Sequence, residues 1–131
     1  MITGIGTDVV RIKRMAAALE RRGDVFARRI LTANELKAFH CVARKAAFLS
    51  KRFAAKEAAA KAFGTGIGQL SFQDIEVSHN EAGRPELVLS GYARELCERN
   101  HITSTWVSIS DETDIAAAFV ILERDSSFTS D

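Results

Sequence analysis

Residues 52–66, Arg52-Phe53-Ala54-Ala55-Lys56-Glu57-Ala58-Ala59-Ala60-Lys61-Ala62-Phe63-Gly64-Thr65-Gly66, constrain this chain more than any other stretch. Nearly every position up to Phe63 favours a helix, and Gly64 suits the left-handed conformation that ends one. Wound at about 100° per residue, Phe48, Ala55, Ala59 and Phe63 share one apolar face, and Arg52 and Lys56 project into the same arc. Cations on a face that has to be buried require snorkelling or an anionic partner. Glu57 and Lys61 lie one turn apart at the border of that face, in the favourable order for an ion pair along a helix. Two readings stand side by side. Glu-Ala-Ala-Ala-Lys is also the repeat of solvated helical spacers, where Glu57 and Lys61 would add only tenths of a kcal/mol. A solvated spacer, however, would not set two cations within its apolar arc.

The rest of the chain divides into a helical half and a strand-rich half. Residues 2–10 read as a strand, in which Gly4 and Gly6 mark the close approach of another backbone or a ligand. The lone Gly-x-Gly is no dinucleotide fingerprint, lacking the third glycine and the strand-turn-helix setting. Asp8 precedes a helix expected from about Val10 to Glu20, which makes an N-cap role the plain alternative to a functional one. Gly23 breaks that helix, and Asp24 is placed to cap a short second one holding Val25, Phe26 and Ile30. Thr32-Ala33-Asn34-Glu35 fits a capping box opening a third helix, and a long helix follows from about Arg44 to Phe63.

The glycine-rich segment after Phe63 leaves a helix C-terminus, the wrong end for a P-loop; an exit turn is the default, although its N–H groups could meet a ligand. Residues 71–77 and 85–89 flank a hairpin turn, and a slip of apolar parity between Phe72 and Ile75 suggests a bulge near Gln73-Asp74. Ser90 is expected to cap a helix holding Tyr92, Leu96 and Cys97. Along 102–110, Val107 and Ile109 fall on one face and Trp106, Ser108 and Ser110 on the other. Residues 115–122 are apolar on both faces, as in a central strand or one covered by a partner. The expectation is a single α+β domain over residues 1–125, helices packed on a small, mostly antiparallel sheet, with a polar tail over 126–131.

Composition narrows the function. With 131 residues, 47% apolar and 27% charged, the chain reads as an ordinary soluble globular protein. No apolar run approaches the roughly 20 residues a membrane span needs, and the first residues do not resemble a signal peptide. Cys41 and Cys97, with no metal-ligand spacing, read as reduced thiols of a cytoplasmic protein; His40, His79 and His101 suggest no zinc site either. Net charge is +1, yet residues 11–29 hold seven basic residues against Glu20 and Asp24, a local +5 that leaves −4 elsewhere. Such a face steers anionic partners, unless it is merely solvated. A nucleic-acid-binding module is the competing class, opposed by the near-zero net charge and the lack of an aromatic stacking surface.

Two ordered segments, Gly4-Ile5-Gly6-Thr7-Asp8-Val9-Val10 and Arg52 to Ala62, resemble the paired signatures of holo-[acyl-carrier-protein] synthases, the small bacterial members of the 4′-phosphopantetheinyl transferase superfamily. The resemblance extends to Phe63-Gly64-Thr65-Gly66, Gly83-Arg84-Pro85 and Val107-Ser108-Ile109-Ser110-Asp111-Glu112, nearly the whole chain. It implies a 4′-phosphopantetheinyl transferase-like fold. The implied reaction moves 4′-phosphopantetheine from coenzyme A to a serine of an apo acyl carrier protein, in support of fatty acid biosynthesis. By the same resemblance Asp8 and Glu57 match Mg²⁺ ligands, and Glu57 and Lys61 carry the catalysis. Arg52, Lys56, Lys61, Gly64, Gly66 and Pro85 would contact coenzyme A, giving Arg52 and Lys56 their anionic partner. Arg14, with Arg21 and Arg22, would meet the acidic carrier. A homotrimer with sites between subunits is implied, with neither nucleic acid nor membrane as partner. Asp111 stands where many relatives carry histidine, and its carboxylate would repel a phosphate. A catalytically dead scaffold of this fold is the second alternative, opposed by the joint presence of Asp8, Glu57 and Lys61.

Overall fold

A helix rich in alanine can be approached closely from several sides, and this protein is built on that property. The computed structural model describes residues 1–125, so the expected tail over 126–131 lies outside the described residues. The central element is α4 (Lys45–Phe63), numbered after β1 (Ile2–Arg11), α1 (Ile12–Arg22), α2 (Asp24–Ile30) and α3 (Ala33–Cys41). A short 3₁₀ turn (Phe72–Asp74) leads into β2 (Ile75–His79), β3 (Pro85–Leu89), α5 (Gly91–Arg99), β4 (Ile102–Asp111) and β5 (Ile115–Arg124). Among the described residues, no helix is long and apolar enough to cross a membrane.

The strands form an antiparallel three-stranded sheet in the order β1-β5-β4 and a separate β2-β3 hairpin. β5 is the central strand, which accounts for its two apolar faces. Its residues Ala116, Ala118, Val120 and Leu122 are buried, and the register aligns them with Val10, Asp8, Gly6 and Gly4 of β1. That face of the sheet lies on α4. A Cβ on Gly6 would collide with the carbonyl oxygen of Ala58 and stand 2.7 Å from the amide nitrogen of Ala62; one on Gly4 would collide with the Ala62 carbonyl. The expected close approach is therefore made by a backbone, that of α4.

Several local expectations hold. Gly64 ends α4 at φ 80°, and the Thr32–Glu35 capping box forms with both reciprocal bonds. Others need correction. Strand β1 runs through Asp8 to Arg11, and Arg11 is the N-cap of α1, so Asp8 caps nothing. Asp24 lies inside α2, behind Gly23 at the N-cap, and Ser90 occupies the N-cap of α5 without a side-chain bond. No bulge forms near Gln73-Asp74: the parity slip is absorbed by the 3₁₀ turn, stabilised by a Ser71–Asp74 capping box.

The largest correction concerns the misplaced cations. Lys56 is fully buried, and its three ammonium donors go to Ile30 O (2.5 Å), Glu35 Oε1 (2.5 Å) and Phe72 O (3.1 Å). Its anionic partner within the chain is thus Glu35 of α3, and none of its ammonium donors is left over for coenzyme A. Arg52, 8% exposed, lies with its guanidinium 4.2 Å from the Phe48 ring centroid and its Nε 3.6 Å from Glu35 Oε2. Glu35 also accepts from the N–H groups of Thr32 and Val77, which ties α3, α4 and β2 together. Burial lowers the Lys56 pKa from its ordinary value, and Glu35 acts against that shift.

Breaking one partner of a buried pair strands the other charge. Lys56→Met and Glu35→Gln should therefore each destabilise by about 3–5 kcal/mol in urea titration. The double variant should cost clearly less than their sum; strict additivity would show that the two charges are not coupled.

Candidate active site

Period-2 geometry places Asp8 on the same side of β1 as Gly4 and Gly6, facing α4. Lys61, half exposed, donates from Nζ to Asp8 Oδ1 and to Thr7 O, both at 3.0 Å. The ion pair of Lys61 is thus with Asp8 across two elements, and the helix-internal pair with Glu57 is not the one formed. Glu57, one turn before Lys61, makes no direct ion pair among the described residues. Its pKa is raised, first by burial and then by the charge of Asp8, with Lys61 opposing both.

Two carboxylates sharing one ammonium make a site that calls for further positive charge. Hard carboxylate oxygens suit Mg²⁺, which binds through one or two carboxylates and completes its shell with water and phosphate oxygens. Among the described residues no group of three or more His, Cys, Asp or Glu is arranged for a metal. The donor set at Asp8 and Glu57 therefore fits an ion that shares its shell with a substrate, and does not fit an all-protein cage.

Asp8 and Glu57 border a cavity of about 430 Å³ that is also lined by Arg14, Arg21, Arg22 and Phe26. The fold thus brings the basic face of α1 to the carboxylates. Met15, Ala18 and Phe53 supply apolar walls, and the Arg22 guanidinium lies 5.1 Å from the Phe26 ring centroid. Phe26, expected only as part of the short second helix, and Phe53, given no role from sequence, both line this cavity. Half-buried aromatics next to arginines carry no local signal of this kind.

The residues expected at coenzyme A do not assemble within one chain. Pro85 opens β3 and lines a separate cavity of about 260 Å³ with Arg84, Thr105, Trp106 and Val107. Gly64 and Gly66 adopt positive φ in the exit turn, and their N–H groups return to Lys61 O and Ala60 O. Those N–H groups are consequently spent on the helix end. Arg52 packs near His79, whose pKa is lowered by burial and by the cations Arg52 and Lys51. Asp111, at the end of β4, has Lys51 at 4.0 Å.

The sequence profile of the 4′-phosphopantetheinyl transferase superfamily matches residues 4–120. The chain belongs to this superfamily. It is 53% identical over 125 residues to a holo-[acyl-carrier-protein] synthase of Vibrio cholerae, covering 95% of this chain and 99% of that protein. The crystal structure of the holo-[acyl-carrier-protein] synthase from Neisseria meningitidis is 44% identical with a TM-score of 0.89, covering 95% of this chain and all of the other. The Helicobacter pylori synthase in complex with coenzyme A is 33% identical with a TM-score of 0.80, covering 91% and 99% of the two chains. The α+β architecture is that of the phosphopantetheinyl transferases, as the paired signatures implied.

The raised Glu57 pKa has a consequence for stability. The folded protein holds this proton more tightly than the unfolded chain, so Glu57 favours folding while protonated. That contribution is complete below its ordinary value of 4.5 and is lost as pH rises through the raised value. Glu57→Gln should therefore melt at or slightly above wild type near neutral pH, with the advantage vanishing in acid. Thermal melts across pH test this; a loss of stability near neutrality would contradict it.

Proposed function

We propose that this chain is a holo-[acyl-carrier-protein] synthase, transferring 4′-phosphopantetheine from coenzyme A to a serine of an apo acyl carrier protein and releasing adenosine 3′,5′-bisphosphate. The observation that carries the reading is the junction of Asp8, Glu57 and Lys61 with an arginine-rimmed cavity, in a chain of this superfamily. Attack at a pyrophosphate phosphorus requires positioning and charge neutralisation, and no protein nucleophile. Mg²⁺ held by Asp8 and Glu57 would supply the neutralising charge on the phosphate oxygens. Lys61, anchored at the strand, contributes a fixed cation beside them. Glu57, with its affinity for protons raised, is suited to accept the serine proton, directly or through water. Arg14, Arg21 and Arg22 meet the acidic carrier around the cavity that holds the carboxylates.

We also infer a homotrimer with active sites between subunits. Ile5, Val9, Trp106 and Phe119 are 60%, 61%, 44% and 39% exposed, and the strand register gathers them on the face of the sheet opposite α4. A partner covering that face would bury it. The separation of Pro85 and Arg52 from the Asp8 cavity supports a coenzyme site completed by a neighbouring subunit. Within that reading Arg52, Gly64, Gly66 and Pro85 remain coenzyme contacts, the glycines by leaving room and not by donating. The domain spans residues 1–125, and the setting is cytoplasmic fatty acid biosynthesis.

Incubated with Mg²⁺, coenzyme A and an apo carrier, the protein should add one phosphopantetheine to a carrier serine, read by intact mass, and only when a divalent metal is present. Carriers of several kinds left unmodified would overturn the assignment. Arg14→Glu should raise KM for the carrier and leave KM for coenzyme A nearly unchanged, and added salt should mimic it, since exposed charges are screened over about 8 Å at 0.15 M. A shift in the coenzyme A term instead would move this face to nucleotide binding.

A further inference from the structure

The helix α2 borders the Asp8 cavity, yet little of its own sequence holds it there. It has seven residues, and isolated helices shorter than about 12 residues are marginal in water. Only Ala27 and Ile30 are buried, while Val25 remains 63% exposed. Its last carbonyls are the acceptors that a helix end leaves without intrahelical partners. They are taken up from outside the helix. Gln73 Nε2 donates to Arg28 O and to Leu31 O, both at 2.8 Å, and Lys56 Nζ donates to Ile30 O. The opposite end is tied by Asp24 Oδ2 to His40 Nε2 at 2.8 Å.

Gln73 is suited to hold a helix end in register. It sits on the 3₁₀ turn, where its N–H donates to Ser71 Oγ and the reciprocal Ser71–Asp74 cap fixes the backbone. Its neighbour Phe72 stacks on Phe53 at 5.6 Å between ring centroids, and Phe53 lines the same cavity. The amide has one workable orientation, because turning it would direct Oε1 at two carbonyl oxygens. From α2 the effect passes to Phe26, whose ring lies under the Arg22 guanidinium at the cavity rim.

We propose that Gln73, exposed and outside the cavity, is a positioning residue for carrier recognition, acting through α2 to set Phe26 and Arg22. This rests on the reading of the arginine face as the carrier-docking surface. Two hydrogen bonds to carbonyls that water can partly replace define the size of the effect.

Gln73→Met keeps the length of the side chain and removes the donor; Gln73→Glu keeps the shape and turns carboxylate oxygens toward two carbonyls. With apo acyl carrier protein as the probe, KM for the carrier should rise roughly fivefold in Gln73→Met and further in Gln73→Glu. The coenzyme A KM and kcat at saturating carrier should stay within about twofold of wild type, since no coenzyme or metal contact is touched. Hydrogen exchange of the amides over 24–31 should accelerate, with α4 and the sheet unchanged. An unchanged carrier KM in both variants would overturn the proposal, as would equal rises in both KM values, the mark of general loosening. Arg14→Glu run alongside separates the two readings. A raised carrier KM there with silent Gln73 variants overturns the positioning role alone, and silence in all three overturns the docking surface with it.

Discussion

The contact on which this structure depends is the backbone-to-backbone approach of β1 to α4. Where Gly4 and Gly6 meet Ala58 and Ala62, no β1 side chain stands between strand and helix, so their separation has little rotameric slack. Two residues along the strand from Gly6, Asp8 is brought to the helix face that carries Glu57 and Lys61. A carboxylate pair of use to a hard cation has to be held within fractions of an ångström. Here the separation of strand and helix is set by main-chain packing.

The opposite side of the same helix solves a different problem. Lys56 and Glu57 are consecutive, yet one is sealed in the interior and the other faces the cavity. Replacing a buried ion pair by apolar groups is often neutral or stabilising, so stability alone does not explain Lys56 and Glu35. What the pair does achieve is directional. It joins the C-terminal carbonyl of α2, the capping box of α3, the 3₁₀ turn and the middle of β2 to a single point on α4. Apolar packing would hold these elements together without specifying their register, and the cavity needs that register, since its walls come from α1, α2, α4 and β1.

The sheet works in the same way on two faces. Toward α4 it offers Ala116, Ala118, Val120 and Leu122 as a small-residue surface; away from it the register collects Ile5, Val9, Trp106 and Phe119. An apolar sheet face without cover is costly in water, and the proposed oligomer would remove that cost.

How much was legible in the sequence depends on the range of the interaction involved. Periodicity and capping chemistry are local, so the extent of α4, its stop at Gly64, the Thr32 capping box, the β2-β3 turn and the two apolar faces of β5 could all be read from neighbouring residues, whereas its central place in the sheet was one of two readings. The ordered motifs at Asp8 and Glu57 likewise pointed to the superfamily. Local patterns could also say that Arg52 and Lys56 needed an anion, but not which one. Glu35 lies 21 residues from Lys56 and had already been given a sufficient role as a helix cap. The same limit applies to Asp8, whose position before a helix made a cap plausible until the strand was seen to continue past it. Pairings across tens of residues follow from how α4 is wrapped by other elements. No window of sequence contains that information, and only the tertiary structure decided which charges were spent in the interior and which were left for chemistry.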